Sequence, residues 1–250
     1  MKKIICKCSQ IIAVLLFSVN VMAQTSFSYH LGASKPLGDF ANSRAEDRGD
    51  VIWYDLDSKK GGAGMGLNLG VKMKSDIASI EGLGFIFTTD VFYNGANEDV
   101  KEWKNELLEE FEDEYEYDES KLTLPKWLNI PVMVGLNYEY AINDDFGIWT
   151  EFGAGANLGK LTNHKGFFEI DNWEYTHKDV YEFKVSAAFQ LGVGVKLSDK
   201  ISMGVHYYSF GNRRIEGQCF EDVNGEEYDD KFKCKSITPT ILTFRIGYHF

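Results

Sequence analysis

The sequence predicts an all-β protein: an eight-stranded antiparallel transmembrane up-and-down β-barrel. Three observations predict it. Apolar residues alternate with polar ones over eight long segments, the alternate face of those segments is crowded with glycine, and the connections between them are long and short in strict turn. A period of two places the alternating side chains on opposite faces of a strand. Lipid-facing and lumen-facing residues of a membrane barrel alternate in this way, with turns short at one end and loops long at the other.

The first three segments carry outward-type residues at Phe27, Tyr29, Leu31 and Ala33, then from Met65 to Met73, then from Leu83 to Tyr93. The next two run from Leu128 to Tyr140 and from Phe146 to Leu158. The sixth runs from Tyr181 to Leu197, the seventh from Ile201 to Ser209, and the eighth covers Leu242, Phe244, Ile246, Tyr248 and Phe250. None of these outward positions is charged, although 26% of the chain is. Soluble antiparallel sheets also alternate, but they turn the apolar face to a core. Here the other face holds charge and glycines such as Gly70, Gly135, Gly153, Gly192 and Gly204, which would make a poor sandwich core.

The first 23 residues differ from the rest. Lys2 and Lys3 precede the apolar run "IIAVLLF", and "VMA" stands before Gln24. A charged start, a short apolar stretch and small residues at a cleavage position read as a secretory signal peptide over 1–23, leaving 24–250 as the barrel domain. Loss of Lys2, Lys3 and Lys7 takes the formal charge from -12 to -15, which excludes nucleic acid as a partner. Cys6 and Cys8 leave with the signal. Cys219 and Cys234 remain in an oxidising compartment, where a disulfide between them is the expectation. A metal site on these two cysteines would need further ligands, and none is suitably spaced nearby in the sequence.

Three stretches carry a family resemblance: "SYHLGASKPLGDFA", "WLNIPVMVGLNYEYAINDDFGIWTEFGAG" and "FRIGYHF". The chain resembles the PorT-like outer-membrane β-barrel domain of Gram-negative bacteria, in the broad group of the OmpX and OmpA barrels. The resemblance covers essentially all of the mature chain. It implies the outer membrane as location, short periplasmic turns and long extracellular loops. Members of the group serve as closed structural barrels, small pores, adhesins or secretion accessories. The resemblance also implies that the aromatic strand Phe244, Ile246, Tyr248 and Phe250 is read by the barrel-insertion machinery.

Eight strands enclose a lumen just wide enough for side chains to fill. His30, Asp90, Glu151, Lys184, His206 and Arg245 are the expected lumen network, since unpaired buried charge is costly. The second long connection holds twelve acids against three lysines, among them Glu109, Glu110, Glu112, Asp113 and Glu114. Apolar residues Val100, Trp103, Leu107, Phe111 and Tyr115 recur there at helical spacing, so an amphipathic helix is expected. The fourth connection reads as a hairpin turning at Asn224-Gly225. Aromatics of the third, Phe167, Phe168, Trp173 and Tyr175, could stack on sugars or staple the loops together.

No catalytic, cofactor or metal motif is legible. The sequence therefore points to a non-enzymatic barrel with a filled, porin-like but closed lumen. Its expected partners are outer-membrane lipid and lipopolysaccharide, with a protein or glycan ligand at the loops. Two alternatives stay open at this stage: a small pore for ions or solutes, and an outer-membrane lipid acyltransferase drawing on His164 and His177.

Overall fold

The alternating segments fold as strands. The structure is a computed structural model and describes residues 25–42, 60–114, 119–143, 145–170 and 173–250, so the expected signal peptide and most of the first long loop lie outside the described residues. In chain order the strands are β1 (Thr25–Pro36), β2 (Ala63–Asp76), β3 (Leu83–Ala96), β4 (Glu119–Thr123), β5 (Trp127–Ala141) and β6 (Gly147–Leu161). Then come β7 (His164–Ile170), β8 (Trp173–Tyr181), β9 (Lys184–Lys196), β10 (Ile201–Ser209), β11 (Arg213–Val223), β12 (Glu226–Ile237) and β13 (Thr240–His249). One helix, α1 (Glu98–Glu114), follows β3.

Eight of these strands close into a barrel in the order β1-β2-β3-β5-β6-β9-β10-β13, with β13 returning to β1. That last pairing is antiparallel, with Tyr29 opposite Tyr248 and Leu31 opposite Ile246. Closure satisfies every strand edge, which a membrane interior demands because it offers no water to unpaired backbone groups. The alternation has the expected phase. Leu31, Leu67, Leu69, Val134, Phe152, Leu191 and Phe244 are all exposed on the outside, while Asp90, Glu151 and Arg245 are buried within. Two positions depart from it. Tyr181 ends β8, buried against Phe232 at a ring distance of 5.5 Å, so the sixth crossing begins only after it; Ser209 is buried where β10 meets the loops.

Pro131 lies within β5, where a proline removes one ladder hydrogen bond. The β3–β5 ladder holds on both sides of it, pairing Thr89 with Val132 and Phe92 with Asn129. The weak point falls beside Asp90, the lumen's central acid.

The short connections lie at one end of the barrel, between β2 and β3, β5 and β6, and β9 and β10. At the other end the long connections build a second sheet, in the order β12-β11-β8-β7-β4. The hairpin expected in the fourth connection is β11–β12. Its Asn224 and Gly225 have φ of 53° and 85°, the left-handed pair that a two-residue turn matching strand twist requires. The third connection, legible in the sequence only as an aromatic loop, is the β7–β8 hairpin. The expected amphipathic helix is α1, capped by Asn97, whose Oδ1 accepts the Val100 N–H at 3.0 Å.

The expected Cys219–Cys234 disulfide is not formed: Cys219 carries a free thiol. The register explains this. Cys219 stands opposite Asp230, and Cys234 follows four residues farther along β12. At strand rise that is roughly 13 Å, whereas a disulfide needs Cα atoms within about 7 Å.

Candidate functional site

Inward positions from most of the barrel strands converge at mid-barrel. Arg245 of β13 is the hub. Its Nη1 lies 3.0 Å from Asp90 Oδ1 and donates to the Tyr208 hydroxyl at 2.7 Å, and its Nε donates to His206 Nδ1 at 3.0 Å. Its Nη2 is 3.6 Å from Glu151 Oε1. His30 Nε2 is 2.5 Å from Asp90 Oδ1, His206 Nε2 is 2.8 Å from Glu151 Oε1, and Lys72 Nζ donates to Glu151 Oε2 at 2.9 Å. Asn68 donates to Asp90 and Gln190 to Glu151. Two carboxylates thus meet one guanidinium and one ammonium, so formal charge closes within the layer. A buried ionic group persists only when it is paired and hydrogen-bonded in this way.

Beside the network a small cavity of about 20 Å³ is lined by Ser28, His30, Lys72, Trp149, His206 and Arg245, which is room for one water. Toward the loop end the lumen turns apolar. Phe92, Trp127, Tyr208, Phe210 and Ile241 are fully buried there, and Phe40 packs on Trp127 at 5.0 Å from the base of the first loop. Trp127 Nε1 donates to the Gly61 carbonyl at 2.9 Å, fastening the other base of that loop over the mouth.

Five of the six expected network residues are brought together. Lys184 is not among them. It shares their inward phase but stands six residues before Gln190 on β9, roughly 20 Å along the strand, and pairs at the loop-end rim with Glu182 at 2.8 Å and Glu216 at 2.5 Å. Tyr208 escaped the sequence reading although it follows His206 by two residues and shares its face. So did Arg213, a buried guanidinium 5.6 Å from the Trp127 ring; its partners among the described residues include no acceptor for Nη1 or Nη2. No local pattern signals it.

The second sheet gathers another cluster. His177 on β8 stands opposite Glu221 on β11, and Asp179 stands opposite both Cys219 on β11 and His164 on β7. Alternation therefore turns all five side chains to one face. His177 Nδ1 lies 3.3 Å from Glu221 Oε1 and 3.6 Å from Cys219 Sγ, and Cys219 Sγ lies 3.9 Å from Glu221 Oε1. His177 Nε2 is 3.3 Å from Asp179 Oδ1, and the His164 ring is 5.8 Å from that of His177. Burial and the charges of Asp179 and Glu221 push the Cys219 thiol up to about 12. Burial opposes protonation of His177, but hydrogen bonding and charge from Asp179 and Glu221 outweigh it and raise its pKa. Burial lowers that of His164.

The remaining expected residues fall elsewhere. Phe244, Ile246, Tyr248 and Phe250 face outward, and the Phe250 ring meets Tyr29 edge-on at 4.8 Å while its N–H donates to the Phe27 carbonyl. Glu109 is exposed on α1. Glu110, Glu112, Asp113 and Glu114 belong to the same helix, with side chains outside the described residues.

A closed eight-stranded barrel with an apolar exterior and a polar lumen has one natural solvent, a lipid bilayer. In sequence, residues 10–250 match the outer membrane protein beta-barrel domain family. The chain belongs to that family. Similar solved structures include neisserial surface protein A, at 10% identity over 90% of this chain and 97% of that one, with a TM-score of 0.40. Outer membrane protein OprG of Pseudomonas aeruginosa is similar at 14% identity over 92% and 97%, TM-score 0.43. A major outer membrane protein of Thermus thermophilus is similar at 14% over 91% and 100%, TM-score 0.44. No curated protein matches in sequence. As a member of an outer membrane barrel family, the chain presents its apolar belt to lipid; in such barrels short turns face the periplasm and long loops the outside.

Proposed function

We propose that this outer membrane barrel is non-conducting and non-enzymatic, and that its external sheet does the interacting. The observation that carries the reading is the filled lumen: a charge-matched layer around Arg245 lies under an apolar layer of Phe92, Trp127 and Phe210. An ion would have to displace both layers to pass.

The external histidines give little support to an acyltransferase. The Cys219 thiol beside them is pushed up to about 12, whereas a nucleophilic cysteine needs a depressed pKa. Contact with outer-membrane lipid and lipopolysaccharide is supported by Lys126 and Lys160. They stand 5.3 Å and 4.9 Å over the rings of Tyr93 and Phe183 at the loop end of the apolar belt, where lipid phosphates would meet them. The external sheet is the proposed surface for a protein or glycan ligand. The PorT-like assignment and recognition of the last strand by the insertion machinery rest on the resemblance of the three stretches at 28–41, 127–155 and 244–250, whereas export by residues 1–23 and maturation at Gln24 rest on the charged start, apolar run and small residues that precede Gln24.

The test is conductance of the refolded chain in planar bilayers. No reproducible unitary current is expected. A stable current altered by Asp90→Asn or Glu151→Gln would replace this reading with a pore.

A further inference from the structure

We propose that the external sheet is a metal-binding module in which His177 Nδ1, Cys219 Sγ and Glu221 Oε1 hold a zinc-type divalent cation. Geometry is the first reason. A tetrahedral zinc with bonds of about 2.0 to 2.3 Å keeps its ligand atoms roughly 3.3 to 3.6 Å apart. The three atoms here already stand 3.3, 3.6 and 3.9 Å apart, and all lie within 4.8 Å of one another. They project from paired strands rather than from free loops, since His177 and Glu221 face each other across β8 and β11. Ligands set on a sheet are held in place before the metal arrives.

The surroundings are those of a metal-binding histidine. With Nδ1 turned to the ligand cluster, Nε2 is left to Asp179 Oδ1 at 3.3 Å, and Asp179 Oδ2 accepts a hydrogen bond from Tyr181 at 3.3 Å. A carboxylate on the far ring nitrogen fixes the tautomer and orientation of a zinc ligand and strengthens its basicity. The Tyr175 hydroxyl lies 3.0 Å from Glu221 Oε1 and 3.4 Å from His177 Nδ1, beside the fourth position that water would take.

The donor set selects the ion. One nitrogen, one sulfur and one oxygen suit borderline zinc and not calcium or magnesium, which take oxygen alone. The same contacts could instead be a Cys–His–Asp nucleophile, but two carboxylates beside Cys219 disfavour its thiolate. A divalent cation reverses that penalty: the thiol proton leaves to solvent as the sulfur–metal bond forms. The bound ion would staple the third external connection to the fourth. This inference does not depend on whether the lumen conducts.

The test uses the full chain, reduced and refolded in detergent, titrated with zinc and separately with cobalt(II). One tight zinc per chain is expected, and cobalt should give the near-ultraviolet thiolate charge-transfer band. Cys219→Ser should abolish the band and weaken zinc binding at least 100-fold, as should Glu221→Gln for affinity. Asp179→Asn should weaken it about 10- to 100-fold. Cys234→Ser should leave both readouts unchanged. Heat-dependent gel migration reports that each variant still forms its barrel. Zinc held equally by Cys219→Ser, a cobalt complex without the thiolate band, or only the millimolar binding of exposed carboxylates would overturn the proposal.

Discussion

Arg245 reaches Asp90 across the lumen, three strands away around the barrel, with Nη1 3.0 Å from Oδ1 and both side chains buried. The same guanidinium touches His206, Tyr208 and Glu151. One side chain therefore ties both carboxylates of the central layer to the strand that closes the barrel on β1.

Arg245→Met should be the most harmful single change in the lumen. It leaves Asp90 and Glu151 buried with only Lys72 and two imidazoles for compensation. Removing one partner of a buried ion pair costs about 3 to 5 kcal/mol. The denaturant midpoint of refolding into lipid should fall accordingly, and Arg245→Lys, which keeps the charge but not the fork, should fall less. Equal midpoints for wild type and Arg245→Met would refute the charge balance given for this layer.

Trp149 occupies a slot floored by glycine. Gly194 and Gly204 face each other across β9 and β10, and a Cβ on either would come within 2.3 Å of Trp149 Cζ2. Gly204→Leu should displace the ring, which also sits 5.1 Å from Lys72 Nζ, at a cost of about 1 to 3 kcal/mol. A changed near-ultraviolet circular dichroism spectrum with the barrel still closed is the expected signature; an unchanged spectrum would show that the slot has slack.

Cys219 should label with maleimide without prior reduction, in Cys234→Ser protein kept in a chelator. Its rate should still climb about tenfold per pH unit between pH 9 and 10, where an ordinary thiol levels off, because the thiolate becomes available only near pH 12. In the wild-type chain, a Cys219 that resists labelling until reductant is added would restore the disulfide.

Phe250 makes one ring contact with Tyr29 and one with Tyr248 while remaining largely exposed. Phe189 is comparable, exposed and 6.0 Å from Tyr207. As lipid-facing rings the two should be equivalent in stability. If the insertion machinery reads the last strand, Phe250→Ala should lower the amount assembled in cells far more than Phe189→Ala, with both refolding normally into detergent. Equal yields in cells would make Phe250 an ordinary interfacial ring.

The architecture of the barrel is written locally in the chain. A two-residue period is a local property, so every strand from β1 to β13 that crosses the bilayer, and the face of its residues apart from the ends at Tyr181 and Ser209, could be read without knowing any neighbour. Asp90, Glu151 and Arg245 were legible as lumen residues for the same reason. Depth was not: phase places Lys184 inside but says nothing of its height along a strand, and only the register with β6 sets it at the rim, within reach of Glu216 on β11. The external cluster lay further out of reach. His177 and Cys219 are 42 residues apart, and their nearness depends on β8 and β11, which belong to different connections, pairing with Asp179 opposite Cys219. The β11–β12 register, fixed by the turn at Asn224-Gly225, separates Cys219 from Cys234, which their closeness in sequence had joined. Partners in different connections are chosen by the long-range closure of backbone hydrogen bonds, and no local pattern encodes that choice.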